Sequence, residues 1–213
     1  MNRIVLLLGS NIAKERNLPE AVRLLGEMVQ VTAVSSVYET APVGARNQPS
    51  FFNAAVMVAS PLSAVAFKRN VIDVVEQKLH RVRVADKNAA RTIDVDIVLF
   101  NDAVLTYNGR SLPDPDLLRF VHVAVPVAEL LPLMAHPVTG ERLVDIAARL
   151  LKKAAADGPL PIWKREDFVL DCGLGETAVS GYTNHPYPYE VTKPAVLGGR
   201  DGHEFISFNG AAN

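Results

Sequence analysis

The chain has a single cysteine, Cys172, among 213 residues. No intrachain disulfide framework and no zinc site built on several thiolates can exist, and a reducing compartment suits it, with the cytoplasm as the expected location. Neither sign of charge is in excess: 22 Lys and Arg stand against 23 Asp and Glu, so no global field gathers nucleic acid or an anionic membrane surface. Any anion must be held locally. No apolar run approaches the roughly 18 residues that a membrane-spanning helix needs. The opening segment has only Ile4 to Leu8 as an unbroken apolar run, and it reads as a first strand rather than a secretory signal. No period repeats. There is no GxxxxGK[ST] loop, and Gly173-Leu174-Gly175 has no third glycine or preceding Rossmann unit, so P-loop and dinucleotide readings fall. The histidines show no metal-ligand spacing, and Cys172 sits in no hydrolase motif.

What is present is a globular composition, 49% apolar and 21% charged, in a chain long enough for one well-cored domain and an appendage. Arg3 to Leu8 is apolar on both faces, as in a mid-sheet strand. Asn17 is the expected cap of a first helix carrying Ala21, Leu24 and Leu25 and ending at Gly26. Val29 to Tyr38 reads as a second strand, Thr40 to Ser50 as a loop and Phe52 to Val58 as a third strand. Ser60-Pro61 opens a long helix, Arg81 to Ala90 is polar, and Ile93 to Phe100 is a fourth strand. A short hairpin strand follows Asn101-Asp102, Pro113-Asp114-Pro115 makes a turn, and helices are expected over Phe120 to Leu131 and Leu143 to Ala156. The order β-α-β-β-α-β is that of an α+β ferredoxin-like sandwich: an antiparallel sheet covered by helices on one face, with additional helices after the fourth strand. Residues 1–157 are the expected catalytic domain. Residues 158–213 hold eight of the 13 glycines together with apolar patches such as Phe168-Val169-Leu170, and form a Gly/Pro-rich extension expected to be partly ordered against it.

The most informative segment is Arg91-Thr92-Ile93-Asp94-Val95-Asp96-Ile97. In a strand, Asp94 and Asp96 share one face about 6.5 to 7 Å apart, while Ile93, Val95 and Ile97 face the helices. Paired carboxylates can hold hard cations, and magnesium typically takes one or two together with substrate phosphates; the plain alternative is a strand with one solvated face. Upstream stand Glu76, Arg81, Arg83 and Lys87, then Arg91. Such cations can fork onto phosphate oxygens or form an ordinary solvated loop, and their coupling to the acidic strand favours a polyphosphate site. The second segment is Tyr38 to Gly44 with Gln48 to Ala55. Its loop could present backbone groups to a flat heterocycle, with Phe51 stacking and the Asn53 amide reading an edge, or it could be a plain connection with Phe51 in the core.

With Gly9-Ser10-Asn11, the Tyr38 to Ala55 segment, Arg81-Val82-Arg83 and the RTIDVDI strand in this order, the chain over about residues 3 to 150 resembles the 6-hydroxymethyl-7,8-dihydropterin pyrophosphokinases of folate biosynthesis. The resemblance implies transfer of the β,γ-diphosphate of ATP to the pterin hydroxymethyl oxygen, with release of AMP, on a ferredoxin-like fold with two magnesium ions. It further implies that Asp94 and Asp96 hold the metal and that Arg81 and Arg91 contact ATP phosphates, with Arg83 assisting. Glu76 shapes the nucleotide site, which also includes Ile97. Thr40 and Val43 offer backbone groups to the pterin, Asn53 its amide and Phe51 a stacking face. Such a transfer depends on positioning and charge neutralisation more than on a nucleophilic side chain.

Departures from the family pattern concern the nucleotide and pterin contacts. Asp114 stands at a phosphate-binding position where the family usually has a histidine. Counting back from Pro126 and Glu129 puts His122 at the second pterin-stacking position and Phe120 at a phosphate-binding arginine; a one-residue shift makes Arg119 that arginine. Asn88 replaces an aromatic residue near the ATP base, and Ala41 replaces a proline. The rival readings are a kinase or diphosphokinase for a different pterin and a non-catalytic module that binds pterin or nucleotide. No nucleic acid or membrane partner is expected, and ATP and a pterin are.

Overall fold

The computed structural model describes residues 1–42, 48–86, 89–158 and 162–171. Val43, Lys87, Asn88 and Cys172 lie outside the described residues. In chain order the first elements are β1 (Asn2–Ser10), α1 (Lys14–Met28), β2 (Gln30–Val34), β3 (Tyr38–Thr40) and β4 (Phe51–Ser60). A helical segment follows: α2 (Ala64–Phe67) runs through a π-helical turn (Lys68–Ile72) into α3 (Asp73–Lys78). Next come β5 (Asp94–Phe100), a hairpin of β6 (Leu105–Tyr107) and β7 (Arg110–Leu112), and a 3-10 turn (Pro115–Leu118). The last are α4 (Val121–Leu130), α5 (Leu143–Asp157) and β8 (Ile162–Lys164).

Strands apolar on both sides belong in the middle of a sheet, and β1 and β4 are there. The strand order is β5-β1-β4-β3-β8, all antiparallel, and β2 also pairs with β4. β2 and β3 are the two halves of the expected second strand. The run breaks at Ser35, whose N–H donates to the Ala55 carbonyl (2.9 Å) and whose Oγ accepts from Ala55 N–H (2.8 Å). With those halves counted as one strand, β5, β1, β4 and β2/β3 give the ferredoxin-like order.

The alternation of side chains sorts the core into two layers. Ile4, Leu6 and Leu8 of β1, with Ile93, Val95 and Ile97, pack against α1 and the α2–α3 segment. On the other face Val5, Ala55, Val98 and Leu99 pack against α4 and α5. The helices after the fourth strand therefore cover the second face, where a one-sided sandwich was expected. Each fully buried Leu, Ile or Phe contributes roughly 1.5 to 3 kcal/mol, which is why two apolar faces demand two covering layers.

Helix starts differ from the sequence reading. α1 begins at Lys14 behind Ala13 in a left-handed conformation, and Asn17 lies within the helix, its amide donating to the Ile12 carbonyl (2.7 Å). Ser63, not Ser60, caps α2, its Oγ accepting from Ala66 N–H (3.3 Å). In α4 Pro126 is buried and has no N–H for the His122 carbonyl one turn back, a helical defect that packing offsets. The sheet continues past Asp157: β8 pairs with β3, and Leu170 joins the first core. Among the described residues, no helix is long and apolar enough to cross a membrane.

Candidate active site

α4 and α5 cover only part of the second sheet face. The remainder is the floor of a cavity of about 540 Å³, with Leu7 and Gly9 of β1, Asn53 of β4 and Val98 of β5 beneath it. Asp94, Asp96, Asp114 and Arg91 line it on the β5 side, and Thr40, Ala41 and Phe51 on the β3 side. Arg119, Phe120 and His122 stand at the mouth of α4.

Alternation along β5 puts Asp94 and Asp96 in the cavity and Ile93, Val95 and Ile97 in the core. Ile97 is 1% exposed and packs in the first core, so its side chain does not reach the cavity. The two carboxylates are held by guanidinium groups. Arg91 pairs with Asp94, Arg81 Nη2 lies 3.8 Å from Asp94 Oδ1, and Arg110 pairs with Asp96. Burial first, then the charge of Asp94, pushes the Asp96 carboxyl above its ordinary pKa, against the pull of Arg110. Among the described residues, no three His, Cys, Asp or Glu side chains are grouped to hold a metal. The Asp94–Asp96 donor set nevertheless fits a hard cation whose remaining ligands come from phosphate and water.

Glu76 and Arg83 stand outside this cavity. Glu76 is buried on α3, where its Oε1 accepts from Val95 N–H (3.2 Å) and its Oε2 from Arg83 (2.6 Å). It anchors the start of β5 and ties down Arg83. Arg81, whose side chain is 10% exposed, donates to the Val82 carbonyl at 2.6 Å and braces Asp94 from behind the cavity wall.

On the opposite wall Asn53 is nearly buried, and its amide nitrogen donates to Thr40 Oγ1 (2.9 Å) and to the Tyr38 carbonyl (3.4 Å). Its Oδ1 lies over Gly9, 3.5 Å from where a Cβ would stand, an ordinary van der Waals distance. Phe51 lies in the wall, not in the core, with the Arg91 guanidinium 5.7 Å from its ring centre. His122 stacks on Phe120 at 5.3 Å, and burial pushes its pKa down to about 4, so it faces the cavity as neutral imidazole. Both alternatives for the phosphate-binding position before α4 line the cavity: Phe120, and Arg119, which pairs with Asp116 (3.3 Å).

Asp114 is part of the cavity wall, and its Oδ1 also accepts from Asp116 N–H (2.9 Å), so the turn and the site share one carboxylate. Burial raises its pKa above the ordinary carboxylate value. Its own N–H donates to the Val98 carbonyl (2.9 Å), which fastens the turn to β5. Asn11 fastens the two sides: its Oδ1 accepts from Arg91 N–H (2.7 Å), and its Nδ2 donates to the Pro49 carbonyl (3.3 Å) and Gln48 Oε1 (3.2 Å).

Sequence reasoning missed Arg110, which pairs with Asp96. The signal for Arg110 was available: Asn108 and Gly109 both have positive φ, as a two-residue hairpin turn requires, and Asn-Gly is the strongest short-range hairpin signal. The hairpin carries Arg110 over β5.

Comparisons with known proteins bear on this site. The family model described as 7,8-dihydro-6-hydroxymethylpterin-pyrophosphokinase matches residues 5–132. The Bacillus subtilis 2-amino-4-hydroxy-6-hydroxymethyldihydropteridine pyrophosphokinase is 34% identical over 157 residues, covering 72% of this chain and 93% of that protein. The Helicobacter pylori protein of the same name is 33% identical over 135 residues, covering 60% of this chain and 80% of that one. Among solved structures, wild-type Plasmodium falciparum HPPK-DHPS with pterin and p-hydroxybenzoate has a similar fold, with a TM-score of 0.60 at 14% identity over 76% of this chain. This chain spans 45% of that bifunctional one.

Proposed function

The chain belongs to the 7,8-dihydro-6-hydroxymethylpterin-pyrophosphokinase family, and from that premise we propose that it transfers the β,γ-diphosphate of ATP to the hydroxymethyl oxygen of 6-hydroxymethyl-7,8-dihydropterin in folate biosynthesis. The pterin oxygen forms a bond to the β-phosphorus and loses its hydroxyl proton to water, the bond from that phosphorus to the α,β-bridging oxygen breaks, and AMP leaves with the bridging oxygen. The observation that carries this reading is one cavity with two unlike walls: the carboxylate pair Asp94 and Asp96 on one side, and Thr40, Phe51 and Asn53 on the other.

Each wall has its own task. Asn53 and Thr40 present polar groups to the edge of a flat heterocycle, and Phe51 and His122 present rings to its faces. Arg91, Arg119 and Arg110 supply cationic donors at the side where the phosphates would lie. Asp94 and Asp96 would hold two magnesium ions that arrive with ATP. Magnesium bound there neutralises phosphate charge and polarises the transferred group. The catalytic unit is read as residues 1–157, with β8 added to its sheet from the 158–213 extension.

The test is product identity. Incubation with ATP, magnesium and 6-hydroxymethyl-7,8-dihydropterin, followed by chromatography, should yield AMP. ADP would mean a simple kinase; neither product would mean a binding module, with Asp114 as the lesion.

A further inference from the structure

Glu39 is 9% exposed, and it faces the side of the sheet opposite to the cavity, beside Phe52. A buried carboxylate is stable only with partners, and Glu39 has four. Lys14 (2.7 Å) and Ser50 donate to its Oε1; Arg165 (2.7 Å) and the Trp163 indole (3.3 Å) donate to its Oε2. Lys14 also donates to the Ser50 carbonyl at 3.1 Å. Burial alone would raise the Glu39 carboxyl, and the hydrogen bonds from Lys14, Ser50 and Arg165 more than offset it, leaving it below its ordinary pKa.

Residues 39 and 50 bracket the connection between β3 and β4, so this one carboxylate ties both ends of it together. Half of its hydrogen-bonding partners come from β8 and the residue after it, more than 120 positions along the chain and outside the segment that the family model matches. The attachment is not confined to Glu39. Trp163 pairs with Glu39 in the β3–β8 register, Arg165 N–H donates to the Val37 carbonyl (2.8 Å), the Arg165 guanidinium lies 4.8 Å from the Phe52 ring centre, and Phe168 packs on that ring at 5.2 Å.

We propose that Trp163 and Arg165 are positioning residues for the pterin half of the site: they hold Glu39, Glu39 holds the two ends of the β3–β4 connection, and the neighbours of those ends, Thr40 and Phe51, wall the cavity. The inference rests on the reading of that wall as the pterin side. Without β8, β3 is a three-residue edge strand, the kind of element that frays first. The effect should fall mainly on the pterin wall. Asp94 and Asp96 lie on β5, three strand spacings from β3, or roughly 14 Å, and keep their own ion-pair partners Arg91 and Arg110.

The experiment uses the full chain with Arg165→Ala, Trp163→Phe and the conservative Arg165→Lys. Steady-state kinetics with each substrate varied in turn are combined with amide hydrogen exchange. Arg165→Ala should raise KM for the pterin about tenfold, with KM for ATP and kcat within about twofold, and Arg165→Lys should recover most of the loss. Trp163→Phe, which removes one hydrogen bond from an uncharged donor, should give a smaller rise of the same kind. Exchange should quicken at residues 38–41 and 50–53 and stay unchanged along β5. Equal rises in both KM values, or unchanged exchange at β3, would overturn the proposal. A wild-type chain that turns over no pterin while Arg165→Ala still loosens β3 would instead overturn the assignment of the substrate, since exchange reads the clamp without any ligand.

Discussion

The Arg110 guanidinium is ion-paired with the Asp96 carboxylate, bringing the tip of the β6–β7 hairpin down onto the acidic strand. The pairing raises the pKa of Arg110, with the charge of Asp96 as its largest cause. A cation 14 residues from its partner in sequence thus stands against a carboxylate that lines the cavity. If Asp96 holds a metal, its carboxylate would give up the guanidinium for that ion, and Arg110 would be free to pair with phosphate. Arg110→Ala should therefore raise KM for ATP about tenfold with pterin affinity unchanged. An unchanged KM for ATP would limit Arg110 to neutralising Asp96.

Asp94→Ala and Asp96→Ala should each lower kcat by a factor on the order of a thousand or more, because a lost metal carboxylate leaves phosphate charge uncompensated. Both side chains border an open cavity, and partly exposed ion pairs contribute only about 0 to 1 kcal/mol to folding, so melting temperatures should move little. Full activity in either purified variant would refute the metal assignment.

Phe51→Ala should weaken pterin binding by about fivefold or more, since a stacked ring contributes on the order of 1 kcal/mol beyond its area. Calorimetric titration with the pterin reads this directly. The same titration with a non-hydrolysable ATP analogue should be unaffected.

Asp114→Asn separates the two roles of that carboxylate. The amide oxygen can keep accepting from Asp116 N–H, while the negative charge in the cavity wall is removed. ATP should bind several-fold tighter, as expected when a like charge close to phosphate is deleted. Weaker binding would identify Asp114 as a further metal ligand.

His122, with a pKa of about 4 in the fold, should make stability fall in acid. Between about pH 6.5, where an unfolded histidine titrates, and pH 4, the unfolded chain binds a proton that the folded chain refuses, so unfolding is favoured as pH drops. The loss should reach about 2 kcal/mol, reduced from the full linkage value because the cavity admits water. Urea midpoints measured across this range should slope for the parent chain and flatten for His122→Phe; parallel slopes would contradict it.

The central strands and the acidic pair were legible because their signals are local. β1 carries an unbroken apolar run, and RTIDVDI alternates with the period of a strand. The break between β2 and β3 was not, because the β-branched run passes through Ser35 and the irregularity is fixed by Ala55 on another strand. β8 was invisible for a related reason. Ile162-Trp163-Lys164 is too short to carry a period, and its place is set by Glu39 across the fold. The second helical layer could be foreseen as helices but not as a cover, since which face they take depends on tertiary packing. In the site, Asn53, Phe51 and the carboxylates were found from residue type and spacing. The outlying roles of Glu76, Arg81 and Arg83 follow from how the basic loop folds behind β5, which no spacing reveals.

Asn11, the residue after β1, reaches well beyond the Gly9-Ser10-Asn11 segment. An asparagine amide is donor and acceptor at once, and here the acceptor takes the Arg91 end of one loop while the donor takes the Gln48-Pro49 end of the other. An aspartate could serve only the first; a serine is too short for both. One side chain thereby joins the segment before the acidic strand to the segment before Phe51. Variation at residue 11 should therefore disturb both segments at once, whereas variation at Arg110 should act on Asp96 alone.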